Sequence, residues 1–264
     1  MALVIALYTS RVVLKTLGAD NFGIFNLVAG FVFFFTFFNG SASVSTARFL
    51  NYEMGAGTPS SLRRTFSSAL FIHVCVALVA VVLAETIGLY LVNNLLVIAP
   101  ERLAAANYTY QMAIIATACN VIQLPYTAAV MAHEKMDVYA FISLGNIFLK
   151  LLIALALVFF ADADTLYAYS TMFAGVGLIT FAAWMTYCHL HLPETRRRPR
   201  WVKGISGKML AFSGSDSYSG ACTLGRLQGF NIILNWFGGT VLNAAAALAA
   251  NVTGALTQLS DTVV

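Results

Sequence analysis

Charged residues are scarce in this chain, which has 10% charged and 59% hydrophobic side chains over 264 residues. A soluble globule of this size needs more charged surface, and the mean hydropathy of +0.80 agrees with the shortage. The composition therefore excludes a soluble protein and predicts a membrane protein.

Cysteine pairs, metal-ligand clusters and basic faces are also lacking. The four cysteines stand singly, mostly in apolar runs, without a CxxC motif or a His/Cys cluster at ligand spacing. The net charge of +4 comes from basic residues spread over short loops, so no nucleic-acid partner is predicted. Nothing indicates a metal or a cofactor. The N-terminal residues lack a basic start and a cleavage site, so they do not form a signal peptide.

What the chain does contain is a series of long apolar runs separated by short polar breaks. We interpret them as about eight membrane-spanning helices of an all-α fold. Their positions are up to Leu17, Phe22–Arg48, Phe66–Asn94, Leu103–Met131, Val138–Phe160, Leu166–His191, Met209–Phe237 and from Thr240 onward. The first run is shorter than the roughly 20 residues of a complete span, so the first helix is expected to be truncated. Pro125 predicts a kink in the fourth helix, and Asn51–Arg64 and His133–Asp137 are predicted polar turns.

The polar break within LYTSRVVLKTLGADNFGIFN (Leu7–Asn26) organises the rest of the chain. It is centred on Gly18 and Asp20. A weaker copy of the pattern, LNWFGGTVLNAA, begins at Leu234 and aligns Gly18 with Gly238. An internal repeat of this kind indicates two related halves.

The longest polar stretch divides these halves. It is predicted to be a basic cytoplasmic linker at 193–207, following a six-helix lobe at 1–192. The remaining residues, 208–264, are predicted to form the first two helices of a second, incomplete lobe.

Basic residues fall mostly on one side of the predicted spans. Those at the connections from even-numbered to odd-numbered spans are Arg48, Arg63, Arg64, Lys135, Arg196, Arg197, Arg198, Arg200, Lys203 and Lys208. The opposite side has only Arg11, Lys15 and Arg102. Because Lys and Arg accumulate in cytoplasmic loops, the N-terminus is predicted to be cytoplasmic.

Six segments, taken together and in order, resemble the polysaccharide-export flippases of the multidrug/oligosaccharidyl-lipid/polysaccharide exporter superfamily. They are LYTSRVVLKTLGADNFGIFN from Leu7, STARFL from Ser45, ETIGLYL from Glu85, LPYTAAVMAHEKM from Leu124, LKLLI from Leu149 and QGFNIILNWFG from Gln228. The resemblance implies a multi-pass transporter of the bacterial inner membrane, of the lipopolysaccharide or O-antigen export type. Such a protein moves undecaprenyl-pyrophosphate-linked sugar units outward by alternating access. Its partners would be that lipid-linked oligosaccharide, membrane lipids and polysaccharide-assembly proteins.

Lys150 is the first candidate for contacting such a substrate. It lies inside the fifth predicted span, roughly 15 to 18 Å from either end at about 1.5 Å per residue. A cation at that depth costs about 2.5 to 3.5 kcal/mol, so it tends to face a cavity or a partner. The alternative is a structural lysine held by carbonyls and hydroxyls of neighbouring helices. The family often has a carboxylate four residues earlier, where this chain has Asn146 and so lacks an ion pair.

The predicted seventh helix supplies three further candidates. Its segment SGSDSYSGACTLGRLQGFN is too polar to face lipid, so it should line a cavity or pack against another helix. Gln228 and Asn231 share one helix face, whereas Arg226 points about 160° away from Gln228. We predict all three as cavity residues, with contact to a helix or to lipid head groups as the alternative for Arg226.

Four other residues have two open interpretations each. Glu85, near the outer end of the third span, is a candidate gate residue or an interfacial one. Arg11, together with Lys15, is a candidate outer rim for a pyrophosphate head group or a helix-end anchor. His73 stands alone in an apolar run, which favours a satisfied core histidine over a functional one.

Three functions follow from these observations, led by the flippase for lipid-linked oligosaccharides. A drug/cation antiporter of the same superfamily is the alternative, but it would need a buried carboxylate, whereas the charges inside the spans are Lys150 and Arg226. A membrane enzyme would carry a large outer loop with catalytic residues, and the predicted outer loops are short. We therefore predict a transporter rather than an enzyme.

Overall fold

The computed structural model describes residues 2–34, 37–56, 58–94, 98–157, 164–216, 218–219 and 222. The regular structure in these ranges is helical, as the sequence predicts. The α-helices are α1 (Ala2–Phe34), α2 (Phe37–Ala56), α3 (Pro59–Leu83), α4 (Leu89–Asn94), α5 (Leu103–Ala132), α6 (Met136–Ala156), α7 (Thr165–His191) and α8 (206–216). A π-helical segment at Ala84–Gly88 joins α3 to α4, and 3-10 helices occur at Pro100–Arg102 and Pro193–Arg196. The contacts described below lie within one compact unit, Met1–Gly214.

Four helical stretches in the described part of the chain are long and apolar enough to cross a membrane. They are Pro59–Asn94, Pro100–Ala132, Met136–Ala156 and Thr165–His191. These stretches correspond to predicted spans three to six. Most of predicted span seven and all of span eight lie outside the described residues.

The predicted interruption at Gly18 is confirmed. This residue has φ 79° and ψ 164°, and it divides α1 into two helical segments. Glycine adopts such a positive φ readily because it has no Cβ. Leu17 and Phe25, on either side of the interruption, are buried in one cluster with Leu157 and Leu166. The interruption therefore lies at the end of the bundle where α6 ends and α7 begins.

The prediction of a polar turn over Asn51–Arg64 is wrong in its length. α2 extends to Ala56 and α3 begins at Pro59, so the connection is much shorter than predicted. Thr58 begins α3 with a capping box: its hydroxyl accepts from the Ser61 backbone N–H, and the Ser61 hydroxyl accepts from the Thr58 N–H at 3.0 Å. Pro59 occupies the first turn, where its missing N–H costs nothing. This local capping starts the helix seven residues before the apolar run that marked the predicted span.

The connections that carry most basic residues lie together at one end of the bundle, which we call the basic end. One buried cluster at this end joins residues of α2, α3, α5 and the segment after α7: Leu50, Phe66, Val130 and Leu192. Here Ser67 donates to the carbonyl of Arg198 at 2.7 Å, and His133 in the α5–α6 turn pairs with Glu194. The connections in which the sequence places most basic residues thus lie at the same end of the helix bundle.

The opposite end of the bundle is held by an ion pair between α7 and the segment before α5. Arg102 Nη1 lies 2.7 Å from Asp164 Oδ2, with both side chains partly exposed. Asp164 also accepts from the Leu166 backbone N–H at 3.2 Å and so caps α7. One carboxylate thus serves both the helix start and the contact between helices.

Candidate functional site

A cavity of about 210 Å³ lies between α1, α5, α6 and α7. Its polar lining residues are Thr117, Asn120, Gln123, Asn146, Lys150 and Thr180. Its apolar lining residues are Ala29, Ala113, Ala116, Phe173, Val176 and Gly177. Amides, hydroxyls and a cation are rare inside helices of this hydropathy, because they are costly in contact with lipid. Where they occur they face a cavity or one another, as these residues do.

The helix period explains how these residues come to share the cavity. On α5 the polar residues Thr117, Asn120 and Gln123 recur every three positions and therefore occupy one stripe. On α6, Asn146 and Lys150 are four residues apart and lie one above the other. The stripes of the two helices face the same space.

Lys150 supplies the positive charge of the cavity. Its Nζ lies 5.8 Å from the ring centroid of Phe173, within range of a cation–π contact. Phe173 is itself held by Phe25, with ring centroids 5.3 Å apart in an edge-on arrangement. No carboxylate pairs with Lys150 among the described residues, and its side chain remains exposed on one side. The positive charge is thus available to a ligand.

The predicted depth of Lys150 is tested only in part. α6 ends at Ala156, six positions after Lys150, so this end of the α-helix is roughly 9 Å away at about 1.5 Å per residue. The predicted end of the span, Phe160, lies outside the described residues, so the full depth on this side stays a prediction.

Two hydrogen bonds fix the amide side chains of the cavity. Asn146 Nδ2 donates to Thr180 Oγ1 at 2.9 Å, which links α6 to α7. Gln123 Nε2 donates to Asn120 Oδ1 at 3.3 Å within α5. Each amide has two donor hydrogens and a carbonyl oxygen with two lone pairs, so bonding capacity remains for hydroxyl groups of a ligand.

Close packing of α7 on α5 forms the floor of the cavity. A Cβ at Gly177 would lie 3.3 Å from the Ala116 Cα, which is tighter than an ordinary van der Waals contact. Glycine and alanine are typical where two membrane helices approach closely. This pair positions Thr180, one turn further along α7, beside Asn146.

The predicted site residues are distributed unevenly. Lys150 lies in the cavity, whereas Arg11 is exposed on α1 and Glu85 is exposed on the π-helical segment, and neither lines this cavity. Gln228, Asn231 and Arg226 lie outside the described residues. Thr117, Asn120, Gln123 and Thr180 were not predicted. The three-residue spacing in an apolar span was the signal that could have found the three residues of α5.

Glu85 has a specific local environment at the far end of α3. It accepts from Gln111 Nε2 at 3.1 Å. The preceding residue, Ala84, has its carbonyl bonded by the Tyr110 hydroxyl at 2.8 Å, and Tyr110 is completely buried. The Ala84 carbonyl also accepts from the Leu89 backbone N–H, so the tyrosine is a second donor to it within the π-helical segment. Whether Glu85 acts as a gate stays a prediction.

His73 is buried, but only one of its ring nitrogens has a partner. Nδ1 lies 2.9 Å from the carbonyl of Ala69, while Nε2 has none among the described residues. It lies on α3, away from the residues that line the Lys150 cavity. The expected burial in the core is therefore confirmed, but the expected satisfaction of both ring nitrogens is not, since Nε2 is buried without a described partner.

Comparisons with protein-family models, with curated proteins and with solved structures return no match to this chain.

Proposed function

We propose that this chain is a membrane transporter that flips undecaprenyl-pyrophosphate-linked oligosaccharides from the cytoplasmic to the outer leaflet for surface polysaccharide synthesis. The observation that carries the proposal is Lys150, a cation inside a spanning helix that borders a polar cavity with no carboxylate among its described lining residues. A flippase needs no nucleophile or acid/base pair. It needs a cationic contact for the pyrophosphate and hydrogen-bonding groups for the sugars.

The size of the cavity limits what it can hold. Ligand pockets usually have about 300 to 1,000 Å³, whereas this cavity has about 210 Å³. A pyrophosphate-linked sugar unit would therefore contact Lys150 from the exposed side of α6, with the cavity receiving only part of the head group. The amides of Asn120, Gln123 and Asn146 lie beyond the lysine and suit sugar hydroxyls.

The proposed function also includes a membrane topology. The chain would have about eight spans, with a cytoplasmic N-terminus and a first lobe of six helices whose first helix is truncated. The gathering of basic residues at one end supports that orientation, because this end would then face the cytoplasm of a bacterial inner membrane. In this proposal Arg11, Arg226, Gln228 and Asn231 would be further contacts for the substrate.

The charge of the cavity disfavours the alternative drug/cation antiporter. A cation substrate would be held by a carboxylate, yet the titratable group in the described lining is a lysine. The carboxylates with described partners, Glu85, Asp164 and Glu194, lie toward the helix ends. The sign of the charge favours an anionic substrate.

The test replaces Lys150 in the full-length protein in its bacterial host. We expect Lys150→Met to abolish surface polysaccharide and to accumulate lipid-linked oligosaccharide on the inner leaflet, while Lys150→Arg retains partial export. Lys203→Met, an exposed lysine at the basic end, is the matched control. Membrane insertion is checked by immunoblotting. Normal polysaccharide with Lys150→Met would refute the role of the lysine, and drug efflux without flippase complementation would favour the antiporter.

A further inference from the structure

A second lined space lies at the basic end, away from the Lys150 cavity. It is a groove of about 450 Å³ between the C-terminal half of α2 and the start of α8. Its lining residues are Arg48, Phe49, Tyr52, Lys208 and Phe212. The groove therefore combines two cations with three aromatic rings.

The two helices contribute the same pair of groups. Arg48 and Tyr52 are four residues apart on α2, and Lys208 and Phe212 are four residues apart on α8, so each pair lies on one helix face. The Arg48 guanidinium carbon lies 4.6 Å from the ring centroid of Phe212, which places the α2 cation against the α8 aromatic ring. A cation and an apolar wall thus occur on both sides of the groove.

Neither cation is neutralised by the protein in its described part. Among the described residues, no Asp or Glu lines the groove, and neither ion pair involves Arg48 or Lys208. Both side chains are exposed. A guanidinium that stacks on a ring keeps its N–H groups free at the edge, where they can bind phosphate oxygens.

The walls of the groove are fixed to each other. Ser45, one turn before Phe49 on α2, donates to the carbonyl of Met209 at 3.1 Å. Met209 is buried and packs with Phe49. The spacing between the two cations is therefore set by helix packing rather than by mobile loops.

From this geometry we infer that the groove is a binding site for an anionic glycerophospholipid. The phosphate of the lipid lies between Arg48 and Lys208, and its chain lies along Tyr52, Phe49 and Phe212. Charge complementarity selects the anionic head group, and the exposed aromatic wall, with Tyr52 69% exposed, selects an occupant with an apolar chain. The inference requires only that the chain spans a membrane, and it is independent of the transported substrate.

The experiment measures lipid retention by the purified full-length protein. The protein is reconstituted in nanodiscs of phosphatidylcholine with a minor fraction of phosphatidylglycerol, and the bound lipid is quantified by native mass spectrometry. One basic residue near an anionic head group contributes about a fivefold gain in affinity, so Arg48→Gln with Lys208→Gln should weaken phosphatidylglycerol binding about 25-fold. The matched control is Arg200→Gln with Lys203→Gln, which removes the same charge from the neighbouring connection and should leave binding nearly unchanged.

A second variant separates the head group from the chain. Tyr52→Ser should reduce retention of phosphatidylglycerol without changing the weak binding of inorganic phosphate.

Three outcomes would contradict the inference. Equal losses of phosphatidylglycerol binding in Arg48→Gln with Lys208→Gln and in its control would show general charge attraction and overturn the inference. Full displacement by inorganic phosphate would show a site that needs no lipid chain, and selective displacement by a polyprenyl pyrophosphate would show a substrate site. Either result would refute the phospholipid assignment.

Discussion

Asn146 Nδ2 donates to Thr180 Oγ1 at 2.9 Å, one helical turn before Lys150 on the same face of α6. This bond ties α6 to α7 at the cavity. Because Asn146 is neutral, it places no negative charge beside Lys150. A carboxylate at this position, in contrast, could form an i, i+4 ion pair with the cation that a pyrophosphate would contact.

Asn146→Asp should reduce export of surface polysaccharide, though less than Lys150→Met does, while leaving the fold intact. Thr180 can donate to the new carboxylate, so the link between the helices is kept, but the carboxylate competes with the substrate for Lys150. Quantification of surface polysaccharide checks this prediction. The control is Asn94→Asp, since Asn94 is exposed at the end of α4 and bonds only the Tyr90 carbonyl among its described contacts. Full export with Asn146→Asp would argue against substrate contact at Lys150.

Gly177→Leu should destabilise the protein by about 1 to 3 kcal/mol through overpacking of α7 against α5. Its Cβ would already lie 3.3 Å from the Ala116 Cα, and α5 cannot move without disturbing the cavity. Thermal unfolding in detergent measures the effect. Gly175→Leu is the control on the same helix, because a Cβ there meets no atom within 4 Å. Similar melting temperatures for the two variants would show that the close approach is not tight.

Asp164→Ala should destabilise the protein more than Arg102→Ala. The aspartate caps α7 as well as pairing with the arginine, and loss of a cap typically costs about 1 kcal/mol. The ion pair itself is partly exposed, so removing Arg102 should cost at most about 1 kcal/mol. Unfolding midpoints of both variants, and of Asp164→Asn, which retains the cap, provide the comparison. Equal losses for Asp164→Ala and Arg102→Ala would mean that the cap contributes little.

Glu194→Ala should loosen the segment that follows α7. Glu194 is 5% exposed and pairs with His133, which joins this segment to the α5–α6 turn. Removing one partner leaves the histidine without its bond at a cost of about 1 to 3 kcal/mol. Limited proteolysis should then cut the 197–205 stretch faster than in the unchanged protein. Glu53→Ala, at the partly exposed end of α2, serves as the control and should not change the rate.

The sequence predicted the helices of the apolar spans better than their ends. The starts of α6 and α7 fall within two residues of the predicted ones, because apolar runs and charged breaks coincide there. α3 begins earlier than predicted because Thr58 and Pro59 form a local start signal upstream of the apolar run. A pattern of hydropathy does not contain that information.

The cavity could be predicted only in part. Lys150 stands out because a cation within an apolar run is costly wherever the helix packs. Its neighbours Thr180 and Gly177 could not be found in this way, since their place depends on the rotation of α7 relative to α6. The groove at Arg48 and Lys208 depends in the same way on packing between helices that are far apart in the sequence.

The π-helical segment at Ala84–Gly88 affects how this chain should be aligned with any related sequence. Such a segment holds one residue more than the α-helical turn it replaces. Each helical residue turns the chain by about 100°. In a related sequence without the extra residue, α4 would therefore be rotated by about 100°, and the position of Val92, which is 0% exposed here, would face another direction. An alignment without a single-residue gap here would therefore pair buried positions with exposed ones along all of α4.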